Sequence, residues 1–228
     1  MTSSGPKWGL ELDVSESDSN TQLPTVDPTC VPSGTPMPTV VGIVLAGGTS
    51  QRFGDTNKLL AEIDGEPIVR HATRRVCNTA VTATIAVLGH DRKQVETALS
   101  GLPIEIVVNA AYRDGQSTSV QTGVRAAYEL VPDADAVVIA LGDMPFVAVE
   151  TINTLIQVYA TGEWDALAPS TDDVRGNPVL FGRDHAPALT DVTGDVGGRE
   201  ILLAGDRSAL VAVSDPGIHR DVDRPSDL

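Results

Sequence analysis

Four short, nearly continuous apolar runs recur along the chain, at residues 40–46, 83–88, 104–108 and 136–141. They are rich in β-branched residues, as strands buried on both faces of a parallel sheet are. Helix-patterned segments separate them. Residues 67–78 open on a proline suited to a first helical turn, and residues 91–99 start on Asp91, an N-cap type. In 119–130, Val120, Val124 and Ala127 make one apolar stripe, and in 147–159 Ile152, Leu155, Ile156 and Tyr159 repeat that spacing. Strand alternating with helix specifies an α/β fold, a Rossmann-like, doubly wound and mostly parallel sheet. After residue 162 shorter strands at 166–168, 179–181 and 209–213, with a helix over 198–204, describe a small added subregion of the same domain.

Residues 1–38 are rich in Ser, Thr and Pro, lack hydrophobic periodicity, and carry five acids against one lysine. Such a segment buries too little apolar surface to offset its ordering entropy, so a disordered acidic tail is expected, with the domain at 39–228. Met37 directly precedes the first strand and offers an alternative start. The 228-residue chain suits one domain of ordinary size. No apolar run reaches the roughly 18 residues that span a bilayer, and the acidic N-terminus is no secretory or transit signal, so a cytoplasmic protein is expected. Cys30 and Cys77 have no CxxC spacing and predict neither a disulfide nor a zinc site.

Formal net charge is −15, and lysine occurs only at Lys7, Lys58 and Lys93. That field repels nucleic acid and anionic membrane, which excludes both as expected partners. An acidic, lysine-poor surface also suits a high-salt cytoplasm, where counterions screen self-repulsion.

The first strand empties into "LAGGTSQRFGDTNKLL". Gly47 and Gly48 let main-chain N–H groups approach an anion without a Cβ in the way. Gly54 is followed by Asp55 rather than Lys, so this is not a GxxxxGK[ST] loop, and there is no GxGxxG. Arg52 and Lys58 put two cations on one loop, which matches a triphosphate better than a single phosphate. At the end of the fourth run, "LGDMP" places Asp143 where a Mg²⁺ ligand often sits. Asp221, Asp223 and Asp227 cluster in the last residues.

Six segments occur in order: "LAGGTSQRFGDTNKLL", "GQSTSVQTG", "LGDMPFV", "RGNPVLFGR", "LTDVTGDVGGREIL" and "DVDRPSDL". Together they resemble the MobA-like nucleotidyltransferase family, and within it the molybdenum cofactor cytidylyltransferase type, from Val40 to the C-terminus. The resemblance implies that Ala46, Gly47, Gly48, Arg52, Lys58 and Ser119 bind the nucleotide, with Lys58, Arg52 and Asp143 catalytic. It implies Mg²⁺ as cofactor on Asp143 and Asp223, with Asp221 as the competing second carboxylate. Gly176, Pro178, Gly194, Asp195 and Arg199 fall where a molybdopterin-type phosphorylated acceptor would lie, and a recipient molybdoenzyme is an implied partner. The double glycine is typical of guanylyl members, whereas "GQSTSVQTG", "GDMP" and "GDVGGREIL" favour the cytidylyl type. CTP is therefore the favoured nucleotide. Alternatives are a GTP-dependent guanylyltransferase, a relative acting on another phosphorylated acceptor, or a non-catalytic cofactor carrier. Phosphoryl chemistry of this kind needs no nucleophilic triad, and His71, His90, His185 and His219 are read as structural or surface residues.

The charge pattern predicts that resistance to urea rises as KCl goes from low to molar concentration. Denaturation midpoints that barely change across that range would reject a high-salt adaptation.

Overall fold

A computed structural model of the protein describes residues 23–32, 34–48, 57–193 and 198–227. In chain order its strands and helices are β1 (Thr25–Val26), β2 (Val40–Ala46), β3 (Glu62–Ile63), β4 (Glu66–Pro67), α1 (Ile68–Cys77), β5 (Ala83–Leu88), α2 (Arg92–Ala98) and β6 (Glu105–Val108). There follow α3 (Gln116–Leu130), β7 (Ala136–Leu141), α4 (Val149–Ala160), β8 (Ala166–Thr171), β9 (Val174–Arg175), β10 (Val179–Gly182), α5 (Ala186–Asp191), α6 (Arg199–Ala204) and β11 (Ser208–Ala212). Nine strands form one sheet in the order β1–β11–β8–β10–β7–β2–β5–β6, with β9 beside β8, and β3–β4 is a separate hairpin. All neighbours are parallel except β9, which runs against β8, and β10, which runs against both β7 and β8.

Every residue of β2 is buried, because helices cover both sheet faces. The period of two divides its side chains. Val41, Ile43 and Leu45 pack with Val120, Val124 and Ala127 of α3, Leu189 of α5 and Leu202 of α6. Val40 and Val44 face the other way, onto Val76 of α1 and Ile152, Leu155 and Ile156 of α4. The stripes expected for α3 and α4 are thus the faces laid on the sheet. No described helix is long and apolar enough to cross a membrane.

Three expectations need correction. Residues 23–26 are not tail: Thr25 and Val26 pair with Leu210 and Val211, Leu210 donates its N–H to the Pro24 carbonyl at 2.8 Å, and Leu23 is buried. The cause is the open edge of β11, whose backbone groups need partners and which two residues suffice to cover. Residues 1–22 lie outside the described residues. Asp91 stands before α2 but makes no side-chain cap; its backbone is left-handed at φ 50°. Helix α3 starts at Gln116, three residues before the expected start at 119.

The subregion expected after residue 162 continues the same sheet. Asp172 and Asp173, at φ 53° and 62°, form the two-residue hairpin turn between β8 and β9. Ser170 faces Arg175 and Leu167 faces Leu180, so three steps along β8 are matched by five on the returning arm. The excess lies around Gly176, Asn177 and Pro178, a bulge of the kind that re-aims side chains at a sheet's rim.

The last residues are fastened to the body by Asp215, a buried carboxylate. It accepts hydrogen bonds from Ala148 N at 2.8 Å, Thr151 Oγ1 at 2.6 Å and Gly217 N at 2.8 Å, capping α4 from outside that helix. A Cβ on Gly217 would stand 2.2 Å from the Phe146 carbonyl oxygen, so only glycine permits this approach. Asp215→Ala is expected to cost about 3 kcal/mol in urea unfolding, since it strands buried donors. A loss below about 1 kcal/mol would mean water replaces the carboxylate freely.

Candidate active site at the switch point

The chain leaves β2 toward β5 on one side, and later returns to place β7 on the other. In open α/β sheets such a reversal leaves a crevice outside the carboxyl ends of the two strands. Gly47 and Gly48 follow β2, and Gly142 and Asp143 follow β7. Gly142 donates its N–H to the Leu45 carbonyl at 2.9 Å, and a Cβ there would lie 3.0 Å from that oxygen and 3.4 Å from Ala46 Cβ. The two strand ends can close on each other only because this position lacks a side chain.

Lys58 enters from the glycine-loop side. It begins a short 3₁₀ turn capped by Asn57, whose Oδ1 accepts from Leu59 N at 3.1 Å. Leu59 is buried against Ala46, Val69 and Leu88, which fixes the turn on the sheet and leaves Lys58 facing the crevice. Its Nζ lies 2.7 Å from Asp143 Oδ2 and 2.5 Å from Asp223 Oδ1. Burial disfavours the ammonium, but the two carboxylates more than offset this, and the lysine is held above its ordinary pKa. Lys58 therefore stays charged throughout the physiological range.

Asp223 reaches the site because the tail folds back over Asp143. Val222 is fully buried and donates its N–H to the Asp143 carbonyl at 2.9 Å. Asp227 accepts from the N–H groups of Asp223 at 3.0 Å and Arg224 at 2.8 Å, and these bonds hold its carboxyl below the usual range. Asp221 is exposed, so of the two competing carboxylates Asp223 is the one at the crevice. On the other flank Arg75 Nε donates to the Pro145 carbonyl at 2.7 Å, bracing the turn that carries Asp143.

The remaining expected residues divide. Ala46 ends β2, and Gly47 is buried with Ser119 beneath it: a Cβ on Gly47 would meet Ser119 Oγ at 3.2 Å. Ser119 Oγ accepts from Asn109 Nδ2 at 3.0 Å, so it packs below the glycine loop. Gly48 is exposed with open space around it. Gly176 packs against Ile218 of the tail, and Pro178 is buried after a cis peptide bond. Arg199, by contrast, lines a cavity of about 350 Å³ together with Leu45, Leu141 and Phe181. Arg52, Gly194 and Asp195 lie outside the described residues.

The sequence reading missed Arg175, which lines the same cavity as Arg199. Its signal was present as the first residue of "RGNPVLFGR", but only the bulge shows where it is aimed. Of the histidines, Nε2 of His71 is 2.9 Å from the Ile63 carbonyl and that of His185 is 3.0 Å from Asp165, both away from the crevice residues.

The crevice suits a divalent cation. Asp143 and Asp223 already converge on one positive centre, and Asp143 Oδ1 is buried without a hydrogen-bond partner. Among the described residues there is no cluster of three or more His, Cys, Asp or Glu that could ligate a metal. Two carboxylates completed by phosphate oxygens and water are the usual arrangement for Mg²⁺.

Comparison with known proteins agrees with the fold. The model of the MobA-like NTP transferase domain matches residues 42–209. The nicotine blue oxidoreductase of Paenarthrobacter nicotinovorans is 29% identical over 196 residues, 83% of this chain and 94% of that protein. The purine catabolism protein PucB of Bacillus subtilis is 28% identical over 207 residues, with coverage of 83% and 94%. Among solved structures, Rv0371c of Mycobacterium tuberculosis superposes with a TM-score of 0.72 at 26% identity, covering 84% of this chain and 96% of that one. The same protein is also known as a manganese complex, at TM-score 0.68, 25% identity and coverage of 83% and 95%. A nucleotidyl transferase from Methanothermobacter, at TM-score 0.69, 24% identity and coverage of 83% and 94%, shares the fold.

Lys58→Met leaves Asp143 and Asp223 facing each other without their ammonium. Its stability at neutral pH is expected to fall by about 1–3 kcal/mol, the range for a charged hydrogen bond. Millimolar Mn²⁺ should then raise the melting temperature of the variant more than that of the parent, because the metal no longer competes with Nζ. Equal shifts in a thermal melt would mean that the carboxylates do not form a common cation site.

Proposed function

Because the chain belongs to the MobA-like NTP transferase family, we propose that it transfers a nucleoside monophosphate from a nucleoside triphosphate, CTP in preference to GTP, to the terminal phosphate of a molybdopterin-type cofactor. Pyrophosphate is the second product, and a recipient molybdoenzyme takes the first. The unit that carries the reaction comprises residues 39–228 together with the strand at Thr25–Val26 that completes its sheet. One observation carries the reading: Lys58, Asp143 and Asp223 meet at the carboxyl ends of β2 and β7, beside the glycine loop.

An oxygen of the acceptor phosphate forms a bond to the α-phosphorus. The bond from that phosphorus to the bridging oxygen breaks, and its electron pair leaves with pyrophosphate. The attacking phosphate is already an anion, so no general base or covalent intermediate is needed and catalysis is positioning plus charge neutralisation. Main-chain N–H groups of Gly47 and Gly48 face the phosphates, with Arg52 as the second cation of that loop. The Lys58 ammonium, kept protonated by its carboxylates, donates to the α-phosphate as negative charge builds there. Asp143 and Asp223 would hold Mg²⁺, which when bound neutralises phosphate charge and fixes the nucleotide's geometry. That Rv0371c is known as a manganese complex supports the use of a divalent metal. Ser119, beneath Gly47, supports the loop against the base and ribose, and Gly176 and Pro178, with Gly194 and Asp195 as the resemblance implies, are assigned to the acceptor.

The test is incubation of the protein with Mg²⁺, molybdopterin and either CTP or GTP, with pyrophosphate as the readout. Release with CTP, and only in the presence of acceptor, is expected. Release with GTP alone would reverse the nucleotide, and turnover with a sugar phosphate would replace the acceptor. The oxidoreductase activity that one relative is named for releases no pyrophosphate, so the same assay separates it. Lys58→Ala is expected to slow the chemical step by roughly 10²–10³. Undiminished turnover in Asp143→Ala would remove Asp143 from the site, whereas retention of the cofactor without pyrophosphate release from any nucleotide would point to a cofactor carrier instead.

A further inference from the structure

Away from the crevice, the sheet ends on β6, and among the described residues nothing pairs with the outer side of that strand. Asn109 donates its N–H to the Leu88 carbonyl at 2.8 Å. The alternation of a parallel ladder therefore turns the N–H and C=O groups of Ile106 and Val108 away from β5. Proteins usually blunt such an edge with lysine, proline or a covering element. Here Val108 is 44% exposed and lines a groove of about 610 Å³. Ile106 packs with Val95 of α2, and Val108 shares its face of the strand.

The groove lies between Val108 and the start of α2. Its cations are Arg92 and Lys93, both exposed, and the one acid on its wall is Asp91, 3.3 Å from His90 Nε2. Among the described residues, neither the Arg92 nor the Lys93 side chain has a hydrogen bond or ion pair. Helix α2 has no acid in its first turn, so both cations stand where the helix dipole disfavours them. The fold gains nothing from that placement. Tyr112 also lines the groove, and glycine at 89 makes room for it: a Cβ there would stand 2.6 Å from Tyr112 Cβ. Arg113, exposed, adds a third cation with its guanidinium 5.5 Å from the Tyr112 ring centroid.

We propose that the outer edge of β6 receives an extended acidic segment of a partner protein as an added strand. The outward groups of Ile106 and Val108 supply the ladder. Every second side chain of the added strand then falls on the α2 face, where its carboxylates meet Arg92 and Lys93. Charge selects the occupant. Three cations gathered beside one groove of a chain of net charge −15 match carboxylates. A two-fold contact between copies of this chain would instead set the same cations against each other. The open backbone edge and the exposed valine suit a peptide strand better than a string of phosphates. Nothing in this docking requires nucleotide or metal, so it is independent of the transferase reading.

The test is fluorescence anisotropy of the full chain with a labelled synthetic peptide in which valine alternates with glutamate. The same peptide with lysine in place of glutamate should not bind. N-methylation of the peptide backbone removes its hydrogen bonds but keeps its charge, and should weaken binding at least roughly tenfold. The double variant Arg92→Gln, Lys93→Gln should weaken it at least roughly tenfold as well. Val108→Pro deletes an N–H that the sheet does not use, so the melting temperature should hold while peptide affinity falls. Hydrogen exchange reads the contact directly: the Ile106 and Val108 amides should slow when the acidic peptide binds. Unchanged exchange at those amides, or equal affinity for the N-methylated peptide, would overturn the proposal and leave only a patch of charge. So would failure of the acidic peptide to bind. A dimer in light scattering with both amides protected before any peptide is added would give the edge to a second copy, and would overturn it too.

Discussion

One ammonium group joins three distant parts of the chain. Lys58 stands just after the glycine loop, Asp143 ends β7, and Asp223 lies 165 positions beyond the lysine. Each carboxylate alone would be a solvated turn residue. Brought within hydrogen-bonding distance of the same half-buried nitrogen, they hold it charged, and it holds them together despite their mutual repulsion. The C-terminal tail owes part of its course to this contact and part to Asp215, Val222 and Ile218, which fasten it to α4, to Asp143 and to the bulge. Tail and crevice are therefore one unit.

The local concentration of cations also resolves an apparent contradiction in the charge. A chain of net charge −15 repels the anions it is proposed to bind. It answers this locally, with one of its three lysines at the crevice and two arginines facing the adjoining cavity. Low-dielectric walls of Leu45, Ile139 and Phe181 increase the reach of those arginine charges, so a few groups outweigh a distant acidic surface. The same economy explains why two carboxylates at the crevice are compatible with a nucleotide: they are already matched by a cation, which a metal can replace.

Much of the fold was legible because its signals are local. Residues 40–46, 83–88 and 136–141 match observed strands, since strands buried on both faces need unbroken apolar side chains and carry that requirement in their composition. The failures were features whose cause is not local. Thr25 and Val26 are strand only because β11 offers an edge, and two residues have no period to read. The φ of Asp91 was hidden by a residue type that caps helices elsewhere. In the crevice, glycine, lysine and aspartate, Asp223 ahead of Asp221 included, were recognisable by type and by the resemblance their segments carry, yet only the structure shows Val222 buried beside Asp143 with Asp223 on Lys58.

The linear order of residues by itself determined the doubly wound sheet, the glycine loop after β2 and the placement of an aspartate after β7, because backbone sterics and apolar periodicity act within a few residues. Tertiary structure alone decided which charges meet. Gly142 closing on Leu45, the bulge that turns Arg175 toward Arg199, and the tail that brings Asp223 to Lys58 all follow from packing between elements far apart in sequence. Electrostatic partnership depends on distance in space, which only the folded sheet sets.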